Sequence, residues 1–219
     1  MIPVPPFLSG VRGDLEVPKV TAKHFSNNLL VVAIMHIEFL VEEPSIEVAL
    51  NFIVSKITGD THTLKIHNFK NKDRLLKRLS ERMKAYANFV PDDWRIVILV
   101  DEDRCDCQEL KRKLCDASSV VTKQKENIVL HRIAVEELKS LFIGDVTAIR
   151  AEYEKIPVSL SQQGKFRNSD TIKGGTWEQL DKILKKYGYE TGLQKIDFAE
   201  KVSPHMHVEN NLSRSFQIF

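Results

Sequence analysis

The 219-residue chain has few cysteines, no long apolar segment and no clear excess of either charge. Its three cysteines, an odd number, cannot form the disulfide framework of a small secreted protein, so a reducing cytoplasm is the predicted location. The longest apolar run, residues 27–41, contains a histidine and a glutamate and is shorter than a bilayer span, which predicts no membrane partner. Lysine and arginine number 32 against 30 acidic residues, so nucleic-acid contact would require local basic patches.

Glycine is also scarce, and the sequence lacks the motifs of several common sites. The glycine pair at 174–175 does not have the spacing of a phosphate-binding P-loop, and it predicts a turn before a helix capped by Thr176. Cys105 and Cys107 have no second ligand pair at zinc spacing, so the cysteines are predicted to pack on a helix. The histidines at 205 and 207 lie in a polar tail and are predicted to be exposed.

The first 34 residues are rich in proline, glycine and valine and show neither a helical nor a strand period. Two interpretations are open. Residues 1–34 are either an extension that is not part of the natural protein, which would then start at Met35, or a genuine N-terminal arm. No basic segment precedes the apolar residues, so the start does not resemble a signal peptide.

From Met35 onward, short apolar runs alternate with segments of helical period. This alternation predicts an α/β fold, a Rossmann-like parallel sheet of about four strands flanked by helices, over residues 35–150. Residues 137–153 are predicted to be helical with a break at Gly144, and residues 159–170 to be a polar loop. Residues 151–219 are predicted to form a helical C-terminal cap packed on that core. The predicted strands are 36–43, 61–69, 94–101 and 127–137, and the helices between them start at Pro44, at residue 70 and at Cys107.

Carboxylates follow three of the four predicted strands. Because the carboxyl ends of parallel strands meet at one edge of the sheet, these acids are expected to lie together. Hard oxygen ligands of this kind suit Mg²⁺ or Mn²⁺, which can stabilise charge on a phosphoryl group. The alternative is a set of solvated strand-end acids, some of them helix caps, as Asp106 would be. In chain order the acids are Glu42 and Glu43, Asp101 and Asp103, and Glu136 and Glu137.

Two of these segments resemble a known pattern. "LVEEPSIEVAL" followed by "LVDEDRCDC" is similar to the Toprim motifs of topoisomerases, primases and overcoming-lysogenization-defect nucleases, in which a glutamate and a D-x-D surround Mg²⁺. Here Glu43 stands where that pattern has glycine. Strings such as "GGTWEQL", "GLQKIDFAEKVSPHM" and "RSFQIF" extend a resemblance over residues 35–219 to the Toprim-like family catalogued as domain of unknown function 4276.

The resemblance implies a Toprim-like fold and a role for each acid. Glu42 would act as general acid or base, Asp101 and Asp103 would bind the metal, and an acid in the first helix would contribute. Either of two adjacent glutamates after the fourth strand would be a further ligand, and two cations near the C-terminus could contact phosphate. These further residues are Glu47, then Glu136 or Glu137, and then Lys195 and Arg214.

Three functions follow from these patterns. The leading hypothesis is a Mg²⁺- or Mn²⁺-dependent, Toprim-like nuclease that cleaves DNA or RNA, with an ATPase partner in phage defence implied by the resemblance. The second is a non-catalytic binding or trigger subunit of an ATPase-containing defence complex. A phosphohydrolase of the haloacid dehalogenase type ranks last, because that family places its D-x-D after the first strand. Basic residues of the helix from residue 70 either face solvent or supply sequence-independent phosphate contacts; they are Lys70, Lys72, Arg74, Lys77 and Arg78.

Overall fold

A parallel sheet of four strands organises the fold. The computed structural model describes residues 34–218 apart from 60, 104, 126–127, 135–138, 173–174 and 190–191, and these described residues belong to one compact unit. The strands lie in the order β2-β1-β3-β4, and each neighbouring pair is parallel, as the sequence predicts. The strands are β1 (His36–Val41), β2 (Thr63–Asn68), β3 (Trp94–Asp101) and β4 (Val129–Ala134). The predicted extension at residues 1–34 lies outside the described residues, apart from residue 34.

Three helices connect these strands and cover both faces of the sheet. They are α1 (Pro44–Thr58), α2 (Lys72–Phe89) and α3 (Cys107–Thr122). The side chains of α2 and α3 pack on one face in a single apolar cluster, and α1 packs on the other face. The predicted α/β class is therefore confirmed, with the apolar run of β3, residues 96–100, buried between two helical layers.

Local signals in the sequence explain where the helices start. Pro44 occupies the first position of α1, where its missing N–H costs no hydrogen bond. The Asn71 side chain accepts the Arg74 N–H and caps α2. Asp106 accepts N–H groups at the start of α3, which confirms the predicted cap.

The C-terminal part is helical, with short segments. The predicted break at Gly144 is confirmed: it separates the first two helices, and a Cβ there would lie 2.1 Å from Asn211 Oδ1. The helix at Thr176–Lys186 has Gly175, with φ 83°, at its N-cap position. Thr176 is the first residue of this helix, so the prediction that Thr176 is the cap is wrong. The segment predicted as a polar loop, residues 159–170, instead forms three short 3₁₀ turns between residues 158 and 171. The helices are α4 (Ser140–Ile143), α5 (Val146–Glu152), α6 (Thr176–Lys186), α7 (Lys195–Val202) and α8 (Arg214–Gln217).

The C-terminal helices share an apolar core with α1 and the sheet. Phe198 of α7 lies edge-on to Phe142 and to Trp177, with ring centroids 5.3 and 5.4 Å apart. Phe142 and Phe198 are almost completely buried in the same cluster as Phe39 of β1. Among the described residues, no helix combines the length and apolarity needed to cross a bilayer.

Candidate active site at the carboxyl edge of the sheet

The strand register brings the acids of β1 and β3 together. Val41, the last residue of β1, is level with Leu99, so β3 continues two residues further and ends at Asp101. Glu42 is the first residue after β1, and its Oε1 accepts the backbone N–H of Asp101 at 2.5 Å. Both acids are almost fully buried, at 5 % and 3 % exposure. The structure thus places Glu42 and Asp101 in direct contact.

Burial sets the protonation of Glu42. Desolvation raises the pKa of its carboxyl, and the negative charges of Asp103 and Glu43 raise it further. The hydrogen bond from the Asp101 N–H and the positive charge of Lys72 act in the opposite direction, and the net effect is a raised pKa. A carboxyl group shifted in this direction is better suited to exchange protons near neutral pH than an ordinary glutamate.

Lys139 balances the acids on one side of the site. Its side chain is 6 % exposed, and its Nζ lies 2.8 Å from Glu43 Oε1 and 3.7 Å from Asp101 Oδ2. Lys195, at the start of α7, lies 3.9 Å from the same Glu43 oxygen and is half-exposed. Lys195, predicted as a phosphate contact, therefore lies beside the acids with its side chain half-exposed.

Lys72 balances the acids on the side of α2. Its Nζ lies 2.7 Å from Asp103 Oδ2, where attraction between the charges rather than an aligned hydrogen bond holds the pair. Asp103 has φ 51°, the left-handed region that aspartate tolerates better than most residues. The two carboxylates of the D-x-D therefore contact different lysines, Asp101 meeting Lys139 and Asp103 meeting Lys72.

The other predicted site residues are placed less centrally. Glu47 of α1 accepts a hydrogen bond from Asn68 Nδ2 at 3.0 Å, at the end of β2. Arg214 donates its backbone N–H to Asp170 Oδ2 at 2.6 Å, and no ion pair within the described residues joins its guanidinium group to the site. Glu136 and Glu137 lie outside the described residues.

The donor set agrees in chemistry with a hard divalent cation, because Glu42, Asp101 and Asp103 offer only carboxylate oxygens. Within the described part of the chain, however, no three histidine, cysteine, aspartate or glutamate side chains are grouped closely enough to hold a metal ion. Each carboxylate of the D-x-D contacts a lysine instead, Asp103 contacting Lys72 and Asp101 contacting Lys139. The carboxylate ligands therefore fit Mg²⁺ or Mn²⁺ in chemistry. In the described residues these carboxylates form ion pairs with lysines.

Sequence reasoning did not identify Lys72 or Lys139 as site residues. Lys72 is predicted only as part of a basic helix face, and Lys139 has no motif around it that marks it. The usable signal for Lys72 is its position at the first residue of α2, which begins at the same sheet edge as the acids. Lys139 contacts Glu43 across 96 residues of sequence, a pairing that no local pattern reveals.

A family model described as "Domain of unknown function (DUF4276)" matches residues 41–219. The chain belongs to the DUF4276 family. No curated protein and no solved structure gives a significant match to the chain. The DUF4276 region begins at the last residue of β1, so it contains the whole acid and lysine cluster.

Glu43 of this DUF4276 chain stands where the Toprim pattern that the sequence resembles has glycine. It takes the N-cap position of α1 with φ −129° and ψ 144°. This extended conformation is open to any residue, so the turn does not require glycine. The Glu43 side chain serves instead as the partner of Lys139.

Proposed function

We propose that the chain is a metal-dependent, Toprim-like nuclease that hydrolyses phosphodiester bonds of DNA or RNA at the carboxyl edge of the sheet. The observation that carries the proposal is the contact of Glu42 with Asp101, two nearly buried acids from neighbouring strands, beside the lysines Lys72 and Lys139. A buried acid can transfer a proton, and lysines can stabilise negative charge on a phosphate, so the two together suit the hydrolysis of a phosphodiester.

The residues divide into roles by their environment. Glu42, with its raised pKa, would accept a proton from the attacking water or return one to the leaving oxygen. Lys195 would contact a phosphate oxygen, because its ammonium group is half-exposed beside the acids. Asp101 and Asp103 would hold Mg²⁺ or Mn²⁺, which supplies positive charge to the phosphoryl group when bound.

The wider setting follows from the resemblance to the overcoming-lysogenization-defect nucleases. It supports an ATPase partner and a role in phage defence as parts of the same proposal. A cytoplasmic location is also part of it, because Cys105, Cys107 and Cys115 are free thiols, which suits a reducing compartment. All three are exposed, so the prediction that they pack on a helix is wrong.

A cleavage assay tests this proposal. Purified protein is incubated with plasmid, single-stranded DNA and tRNA in Mg²⁺ or Mn²⁺. We expect cleavage that falls by a factor of about 10² to 10⁴ in Glu42→Gln, the range for loss of a general acid or base. The double substitution Asp101→Asn/Asp103→Asn should abolish it. Asp116→Asn, on the exposed surface of α3, removes one negative charge, as Glu42→Gln does, and should leave cleavage unchanged.

Two outcomes of the assay would overturn the proposal. One is that no substrate is cut in either metal. The other is that cleavage persists undiminished in Asp101→Asn/Asp103→Asn, which would assign it to a contaminating nuclease.

The ion pairs of the site favour a second candidate, a non-catalytic binding or trigger subunit. Lys139 lies 2.8 Å from Glu43 and Lys72 lies 2.7 Å from Asp103, so lysines compensate acids that a metal would otherwise neutralise. Under this reading, Asp101→Asn/Asp103→Asn would retain protection against phage and still co-purify with an ATPase. Loss of protection in that variant, with the protein still folded, would exclude the non-catalytic reading.

A further inference from the structure

A groove of about 860 Å³ separates β2 from α2. β2 is an edge strand of the described sheet, so one side of its backbone has no neighbouring strand there. Four exposed cations line the groove, namely Lys65 from β2, Lys70 from the turn, and Arg74 and Arg78 from α2. The groove is therefore open along its length and positively charged.

These four cations have no carboxylate partner among the described residues, unlike Lys72 and Lys139 at the site. Two acids also line the groove, and one of them, Glu47, accepts a hydrogen bond from Asn68. The groove thus retains an excess of unpaired positive charge. Exposed cations gathered in one concave surface without internal partners favour an anionic ligand that spans them.

The arginines form a row along the helix. Arg74 and Arg78 are four residues apart, which places them about 6 Å apart along the axis of α2 on the same side. Arg82 continues the row by one turn, but it bonds the His67 ring at 2.8 Å and Tyr86 Oη at 3.1 Å. Arg82 is therefore anchored in the structure, and the free cations lie toward the start of α2.

The start of α2 is also where the candidate active site lies. Lys70 lines both the groove and a neighbouring recess that contains Glu43 and Lys195. Two residues further on, Lys72 contacts Asp103. The row of cations consequently leads from the edge strand to the acids at the ends of β1 and β3.

We propose that this groove binds the phosphate backbone of single-stranded nucleic acid and guides the strand to the acids. The inference rests on the proposed function, because it names the form of nucleic acid that the site would receive. One row of arginines along α2, with Lys65 across the groove, matches one phosphodiester chain lying between them better than the two backbones of a duplex. The rings in the lining are Phe69 and His67, too few for an extended stacking platform, so binding would be independent of sequence.

Fluorescence anisotropy with a labelled, mixed-sequence 20-nucleotide single-stranded DNA tests the proposal, in EDTA so that no cleavage occurs. With four phosphate contacts, log affinity should fall against log salt with a slope of about −2.8, so the dissociation constant rises about 50-fold between 50 and 200 mM salt. Arg74→Gln/Arg78→Gln removes two contacts and should reduce that rise to about 7-fold. Glutamine retains a good helix propensity, and circular dichroism verifies that α2 is intact.

Lys77→Gln/Lys84→Gln is the matched control, because it removes the same charge from exposed positions of the same helix that do not line the groove. Its salt dependence should equal that of the wild type. Equal slopes in the groove variant and the control would overturn the proposal, as would absence of wild-type binding at 50 mM salt. Tighter binding of a 20-base-pair duplex, or of a labelled poly-glutamate peptide that pairs with the β2 edge, would also overturn it.

The groove and the nuclease proposal fail separately. Binding in EDTA that depends on Arg74 and Arg78, without cleavage in any metal, would support the groove and reject the nuclease. Cleavage of single strands at the wild-type rate by Arg74→Gln/Arg78→Gln, at a subsaturating substrate concentration, would support the nuclease and reject the groove.

Discussion

Removing the Lys139 ammonium group tests whether the acids at the strand ends depend on a cation. Lys139→Met keeps the length of the side chain but removes the ammonium group that contacts Glu43 and Asp101. Breaking a buried ion pair by removing one partner costs about 3–5 kcal/mol. Glu43 is 24 % exposed, so solvent compensates part of the loss and we expect the lower end, about 3 kcal/mol.

Thermal unfolding followed by circular dichroism measures this loss. For a chain of this size, about 3 kcal/mol corresponds to a fall in Tm of about 6–12 °C. If Asp101 and its neighbours bind a divalent cation, Mg²⁺ should take over the role of the ammonium group in the variant. A Mg²⁺ concentration about 100 times the dissociation constant would restore about 2.7 kcal/mol, and so most of the Tm.

Lys195→Met is the control for this experiment. Lys195 approaches the same Glu43 oxygen, but at 3.9 Å and half-exposed, so its loss should cost less than about 1 kcal/mol. A Lys139→Met variant that unfolds at the wild-type temperature would refute the role assigned to Lys139. A destabilised Lys139→Met variant whose Tm does not rise with Mg²⁺ or Mn²⁺ would refute the proposal that these acids bind a divalent cation.

Two further predictions concern buried acids. Burial raises the pKa of Glu42, so the folded state binds more protons than the unfolded chain between the unfolded and folded pKa values, and stability falls as pH rises through that window. Glu42→Gln, which keeps the acceptor for the Asp101 N–H, should therefore gain free energy of unfolding relative to wild type as pH rises from about 4.5 to 8 in urea titrations. Asp170→Ala should cost about 3 kcal/mol in the same titration, because the buried carboxylate accepts hydrogen bonds from Ser140, Ser213 and the Arg214 N–H.

Each of these has a control and a contrary result. The pKa of exposed Glu109 is lowered by its hydrogen bond with Lys113 and by the lysine charge, so Glu109→Gln should show a pH trend of opposite sign. If the difference in free energy of unfolding between Glu42→Gln and wild type did not change across that pH range, the raised pKa of Glu42 would be contradicted. For Asp170, the comparison is Asp116→Ala on the exposed side of α3, expected within about 0.5 kcal/mol of wild type. An equal loss in both variants would remove the special role of Asp170.

The fold was accessible from the sequence because its signals are local. β3 spans Trp94–Asp101 as predicted, since its apolar run at residues 96–100 is buried on both sides and is typical of a central parallel strand. The Asp106 cap and the break at Gly144 were likewise predicted from single residues. The turns between residues 158 and 171 were not, because 3₁₀ turns carry no hydrophobic period and depend on what packs beneath them.

The site was predictable only in part. The parallel topology brings strand ends to one edge, and this was enough to predict that Glu42 and Asp101 would meet. The partners of these acids were not predictable, since Lys139 and Lys72 reach them through tertiary packing. Glu47 shows the same limit, because its contact with Asn68 depends on how α1 lies against β2.

Binding of Mn²⁺ followed by electron paramagnetic resonance tests most directly whether the acids at the ends of β1 and β3 form a divalent-cation site. Titration of wild-type protein should show saturable loss of the free Mn²⁺ signal, reversed by excess Mg²⁺. The folded Asp101→Asn/Asp103→Asn variant should leave that signal unchanged, whereas Asp116→Asn should bind as the wild type does. Saturable binding that is equal in wild type and Asp101→Asn/Asp103→Asn, or none in the wild type, would contradict the account.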